Sequence, residues 1–299
     1  MLRIRITEFG RGFCMIKVLP ICIAIGIASI LTACGQPNPG AESSEPPAVE
    51  KSGTSLAAAA QGARRSDENK ARNIFRHPVE TLEFFGIKHD MTVVEVAPGG
   101  GWYTEVIAPY LRDEGKFIAG HWDPDTYIEP LRDAVKAYQD MLAAHPEIYD
   151  KVEMAVLAYP VDMEFVPPES VDAVLTFRNI HSWTRRDVHD DMFEAMYTAL
   201  KPGGILGVVE HRGNPDIQQD PKALSGYVNQ DYAIAMIEKA GFVLEATSEI
   251  NANPKDRKDY EIGVWALPPT LRDGDKNRAE YLAIGESDRF TLRFRKPAG

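Results

Sequence analysis

The chain has 299 residues and a formal charge of -11, with 44% apolar and 26% charged residues, a balance that supports one large or two small folded domains. Acidity grows after residue 33, because Arg3, Arg5, Arg11 and Lys17 oppose only Glu8 before it; so acidic a surface repels polyphosphate and excludes nucleic acid as an expected partner. Cys14, Cys22 and Cys34 are the only cysteines, so the body of the chain has no thiol for a disulfide, a thiolate zinc site or a nucleophile.

The basic N-terminal residues precede an apolar run, Val18 to Leu31, and then Leu31-Thr32-Ala33-Cys34-Gly35. That order is the plan of a signal peptide over residues 1–33, and Met15 with Lys17 would begin it equally well. The run contains Pro20 and would reach only about 21 Å as a helix, against a hydrocarbon core of about 30 Å, so a permanent membrane span is not expected. Leu-Thr-Ala-Cys resembles the bacterial lipobox. The resemblance implies a lipidated Cys34, a lipid anchor in the cell envelope, a body facing the periplasm and, from Gly35 after the cysteine, delivery to the outer membrane. Residues 34–65 are dominated by Pro, Gly, Ser, Ala and Glu and read as a disordered tether.

From Ser66 onward the chain reads as one folded domain. Helical spacing follows a Ser66 or Asp67 cap and breaks at Pro78. Strands are predicted at Thr92 to Ala97, Lys116 to His121, Val152 to Leu157, Val171 to Phe177, Ile205 to Glu210 and Phe242 to Ile250. Helices are predicted between them at Tyr103 to Leu111, Tyr127 to Ala144, Arg186 to Leu200 and Asp231 to Ala240. The alternation predicts a doubly wound, mostly parallel α/β sheet. The stretch 251–288 is polar and Pro-rich and reads as an insertion or mobile lid before a last strand at Arg289 to Lys296.

In such a sheet a ligand sits beyond the carboxyl ends of the strands, held by the first strand-to-helix turn. Here that turn is Glu95-Val96-Ala97-Pro98-Gly99-Gly100-Gly101-Trp102-Tyr103. A dinucleotide fingerprint would place a third glycine where Thr104 stands, which demotes NAD. An acidic residue four before the first glycine instead resembles the first motif of class I S-adenosylmethionine-dependent methyltransferases. Phe177-Arg178-Asn179-Ile180-His181, Leu200-Lys201-Pro202-Gly203-Gly204, Val209-Glu210-His211-Arg212 and Asp288-Arg289-Phe290 extend the likeness to a bacterial family of exported methyltransferase-like proteins.

The resemblance implies a seven-stranded Rossmann-like sheet with an antiparallel last strand, S-adenosyl-L-methionine as cofactor and methyl transfer as the activity. It further implies cofactor contacts from Glu95, Gly99, Gly101, Asp123 to the ribose and Asp162 to the adenine, although His121 stands where the family usually places the ribose carboxylate. His181 and His211 follow strand ends and would face a methyl acceptor, a small molecule or an envelope component, with Asn179 beside them. Two further expectations compete: an exported, non-catalytic module binding a nucleoside or small metabolite, and a metal-assisted hydrolase in which His121, His181 and His211 converge. The first of these keeps the same pocket; the second lacks any local ligand spacing, so no metal is expected.

Overall fold

The computed structural model describes residues 54–158 and 164–299, and these belong to one compact unit. The signal segment, Cys34, most of the tether and Asp162 lie outside the described residues. Helices α1 (Leu56–Ala60), α2 (Asp67–Ala71), α3 (Asn73–Arg76) and α4 (Pro78–Phe85) lead into strand β1 (Thr92–Val96). Then follow α5 (Thr104–Leu111), β2 (Lys116–Trp122), α6 (Glu129–Ala144), α7 (Pro146–Tyr149), β3 (Glu153–Leu157) and β4 (Val171–Phe177). The second half contains α8 (Ile180–Arg186), α9 (His189–Ala199), β5 (Leu200–His211), α10 (Gln230–Lys239), β6 (Val243–Ser248), α11 (Arg278–Ile284) and β7 (Arg289–Arg295). Among the described residues no helix is long and apolar enough to cross a membrane.

The strands form one seven-stranded sheet in the order β3-β2-β1-β4-β5-β7-β6, parallel except that β7 runs antiparallel to both neighbours. β1 and β4 are almost wholly apolar because both their faces are covered. Alternate residues serve opposite layers: Val94, Val96 and Val174 pack with Trp183 and Phe193, whereas Val93, Ala173 and Leu175 pack with Leu82, Phe85 and Ile107. The order reverses at β1, with β2 on one side and β4 on the other, so the crevice opens above these strand ends.

Two boundaries differ from expectation. Residues 54–65 are not tether: α1 caps on Ser55 and buries Leu56, Ala59 and Ala60 in the core layer that contains α5. Alanines counted as low hydrophobicity pack here because they permit close helix approach. Arg65, 3% exposed, locks the segment by donating to Ala60 O at 2.6 Å, Asn73 Oδ1 at 3.0 Å and Glu105 Oε2 at 3.1 Å. The helix expected from Arg186 begins instead at His189 as α9, because a further helix, α8, precedes it and ends at Asp187 with a left-handed φ of 58°.

The stretch 251–288 is a folded flap rather than a loose polar loop. Tyr260, Val264, Ala266, Leu267, Tyr281 and Ile284 gather with Tyr227 in an apolar cluster of their own. Buried Asn251 donates to Thr81 Oγ1 at 3.0 Å and Thr291 Oγ1 at 2.9 Å, and Asp256 accepts from Tyr227 OH at 3.0 Å and the Asp288 amide at 2.8 Å.

Candidate active site

A cavity of about 510 Å³ lies above the carboxyl ends of β1, β4 and β5. Its floor is Glu95, Ala97, Pro98, Gly99 and Gly100; Phe177, Arg178, Asn179 and His211 extend it across the sheet; Val264, Trp265, Pro268, Pro269 and Thr270 of the flap form a wall.

The glycine turn is sharp. Ala97, Gly99 and Gly101 have φ of 51°, 59° and 80°, and the Ala97 amide is fixed to Gly120 O at 2.7 Å. A side chain added at Gly99 or Gly100 would meet nothing within 4 Å, so these two residues form an open cradle. Gly101 does other work. Its missing side chain makes room for α6, since a Cβ there would come 2.4 Å from Met141 and 3.1 Å from Tyr138, and it does not line the cavity.

Glu95 is 2% exposed, accepts a hydrogen bond from Thr104 Oγ1 at 3.0 Å, and is pushed up to about 8 by burial. Asn179 faces the cavity but donates from Nδ2 to Val96 O at 3.0 Å and Thr176 Oγ1 at 3.1 Å, which braces the ends of β1 and β4. Asn179, expected to act in catalysis, thus has its Nδ2 engaged by the two strand ends while it lines the cavity.

The ribose position departs from the expected arrangement. Asp123 does not line the cavity; its carboxylate accepts from the Asp125 amide at 2.9 Å within its own turn. His121 is fully buried at the end of β2. Its Nδ1 accepts from the Trp122 amide at 2.8 Å, which leaves Nε2 to donate to Gly99 O at 3.2 Å. Burial lowers its pKa, in keeping with this neutral tautomer.

His181 and His211 do come together, with ring centroids 5.5 Å apart. Glu210, completely buried, orders both: it accepts from the His181 amide at 3.1 Å and the His211 amide at 2.7 Å, and lies 3.2 Å from His181 Nδ1. His211 lines the cavity and shares a 2.6 Å hydrogen bond between Nδ1 and Ser287 Oγ. Its pKa falls well below the usual value, through burial first and then repulsion from His181, Arg289, Arg178 and Arg76. His121 stands apart from this pair, against Tyr138, so the three histidines do not converge. Among the described residues His181, Glu210 and His211 have donor atoms within 4.8 Å of one another, close enough to gather a metal. Their hydrogen bonds to one another and the surrounding arginines both oppose a cation there.

The residues absent from the sequence reading are cationic. Arg72, Arg76, Arg178 and Arg289 line the cavity. Glu286 binds Arg72 Nε at 2.7 Å, Arg76 Nε at 2.9 Å and Arg289 through an NH group. Burial alone would raise its pKa, but Arg289, Arg76 and Arg72 hold it well below the usual carboxylate range. Arg178 and Arg289 stand inside the quoted motifs Phe177-Arg178-Asn179 and Asp288-Arg289-Phe290, the one signal that could have pointed to them.

The sequence matches no protein-family model and no curated protein. Solved structures share the architecture. A SAM-dependent methyltransferase from Aquifex aeolicus superposes with a TM-score of 0.50 at 16% identity, over 76% of this chain and 93% of its own. The cyclase SpnF gives 0.49 at 17% identity, over 75% and 81%, and a SAM-dependent methyltransferase from Methanosarcina mazei gives 0.48 at 12%, over 73% and 97%. The fold is the Rossmann-like fold of class I methyltransferases.

Proposed function

We propose that the chain is a S-adenosyl-L-methionine-dependent methyltransferase acting on a small molecule. The observation that supports this best is that one cavity joins the open Gly99 and Gly100 cradle and Glu95, at the end of β1, to His211 at the end of β5. The cradle suits the methionine half of the cofactor, with Glu95 beside it for the ammonium. The ribose half would rest on backbone beyond the end of β2, since Asp123 turns its carboxylate to its own loop and His121 is buried with both ring nitrogens engaged. When bound, the cofactor supplies an electrophilic methyl group.

The chain's own residues would then position and deprotonate. The turn holds the cofactor end, Asn179 keeps β1 and β4 in register, and the flap wall with Trp265 excludes water. His211 is the group placed to take a proton, at the ring nitrogen not engaged by Ser287: it lines the cavity, and its surroundings keep it neutral at rest. Glu210 fixes its backbone and the neighbouring His181. The signal plan and Cys34 support a second part of the proposal, a lipoprotein facing the periplasm.

Calorimetric titration of the chain with S-adenosylmethionine and its demethylated product tests the reading. Saturable binding of both is expected. No binding of either at about 1 mM, a free energy of only about 4 kcal/mol, would remove it in favour of a module binding some other metabolite. Mass spectrometry of the mature N-terminus tests the anchor, which requires a modified Cys34.

A further inference from the structure

The cavity concentrates positive charge in a chain of formal charge -11. Arg72, Arg76, Arg178 and Arg289 face it, and the nearby carboxyls balance them poorly. Glu286 alone serves three of these arginines, while Glu95, pushed up to about 8, is largely protonated at neutral pH. Burial, and then mutual repulsion, weigh against the charges of Arg76 and Arg178, although guanidinium groups stay protonated in proteins.

Two of the four are not used up by the fold. The Arg178 guanidinium makes no hydrogen bond or ion pair to a described residue, and its residue holds a left-handed φ of 63° at the end of β4. Arg289 is 2% exposed; its NH groups reach Phe75 O and Glu286, but its Nε has no partner. A buried donor without an acceptor, as at Arg289 Nε, is costly, and an anion is the ligand that relieves that missing bond, engages the half-buried Arg178 guanidinium and lessens the repulsion. Phe177, Val264, Trp265, Pro268 and Pro269 give the same cavity an apolar portion.

We propose that the cavity takes a small organic anion, an apolar or aromatic body carrying a carboxylate or phosphate monoester held by Arg178 and Arg289 beside His211. Calling that anion the methyl acceptor rests on the methyltransferase reading; the anion site rests on the arginines. The arginine fork matches both oxyanions bidentately.

The test is calorimetric titration of the full chain with benzoate and with phenyl phosphate, alone and after saturation with S-adenosylhomocysteine. At least one anion should bind saturably, more weakly as salt is added, and still bind with the adenosyl compound present. Whichever probe binds identifies the oxyanion. Arg178→Gln should weaken the anion by about 10- to 100-fold and leave S-adenosylhomocysteine unchanged, while Arg178→Lys, which keeps the charge but not the fork, should lose less. If both anions fail to saturate, or Arg178→Gln binds them as the parent does, the proposal is overturned. It is also overturned if S-adenosylhomocysteine displaces the anion and loses affinity to the same extent in Arg178→Gln, because the arginines then grip the cofactor's own carboxylate. Anion binding without any binding of S-adenosylhomocysteine would leave the anion site standing and remove the methyltransferase reading.

Discussion

Thr104 Oγ1 donates to Glu95 Oε2 at 3.0 Å, and this is the one side-chain hydrogen bond Glu95 receives from a described residue. One donor does not offset burial, so the pKa of Glu95 rises from 4.5 to about 8. Between these values the native state keeps a proton that the unfolded chain releases, so stability falls as pH rises from about 4.5 to 8. Glu95→Gln cannot titrate and should lose less stability over that window. Urea unfolding at pH 5.5 and pH 8 measures it; equal losses in parent and variant would refute the buried-acid account.

The same acid bears on cofactor binding. A ligand ammonium beside Glu95 stabilises the carboxylate, so binding near pH 6.5, where an α-amine is still protonated, should release a proton. Titrations with S-adenosylmethionine in two buffers of different ionisation enthalpy should then give different apparent heats. Glu95→Gln should abolish the difference and weaken binding by about 10- to 150-fold. Buffer-independent heats would place the ammonium elsewhere.

His121 predicts a separate acid sensitivity. It is held neutral, with a pKa lowered from 6.5, while it bridges the Trp122 amide and Gly99 O. A base whose folded pKa is depressed contributes stability that is present above 6.5 and lost as pH falls below it. His121→Ala should cost roughly 1–3 kcal/mol at neutral pH, because two backbone groups lose their partner, and should show a shallower acid loss. Unfolding followed at pH 7.5 and pH 5 distinguishes the two; an unchanged acid slope would assign the sensitivity to another group.

The sheet was legible in the sequence because its strands are continuous apolar runs bounded by Gly and Pro, as in Val171 to Phe177. Glu95, Gly99 and His211 stand at the cavity because strand ends fix where they stand, whereas His181, expected beside them, does not line it and turns its Nδ1 to Glu210. What escaped notice depends on contacts between distant residues. Arg72 and Arg289 meet through Glu286, which one loop before β7 brings to both, and no local pattern announces that. Asp123, expected at the ribose, does not line the cavity, because strand parity says which way a residue can point but not that the Asp125 amide will take its carboxylate. Residues 54–65 looked disordered because alanines score as weakly apolar, yet they pack closely on α5.

Adjacent glycines should behave differently. A side chain at Gly100 meets nothing within 4 Å, so Gly100→Ala should leave the unfolding midpoint within about 2 °C while narrowing the cradle. Gly101 has a φ of 80° and Tyr138 at 3.1 Å, so Gly101→Ala should cost about 1–3 kcal/mol, several degrees for a domain this size. Thermal unfolding of both variants decides the matter. Equal midpoints would mean that α6 does not constrain the turn.

The coupling between His211 and the arginines can be measured without knowing the acceptor. The ring is held neutral by burial and then by the charges of His181, Arg289, Arg178 and Arg76. Removing one of those charges lessens the repulsion, so Arg178→Gln should raise the pKa of His211, whereas Arg178→Lys retains the charge and should leave it near the parent value. An anion bound at Arg178 and Arg289 should act in the same direction as Arg178→Gln, by screening two cations at once. The readout is the pH titration of the His211 ring proton in NMR spectra, assigned with His211→Gln. A change of packing alone would move the midpoint in both Arg178 variants. An identical midpoint in parent, Arg178→Gln and anion-loaded protein would show that the arginines do not set the proton affinity of His211, and would leave burial and the neighbouring His181 as the reasons that it stays neutral.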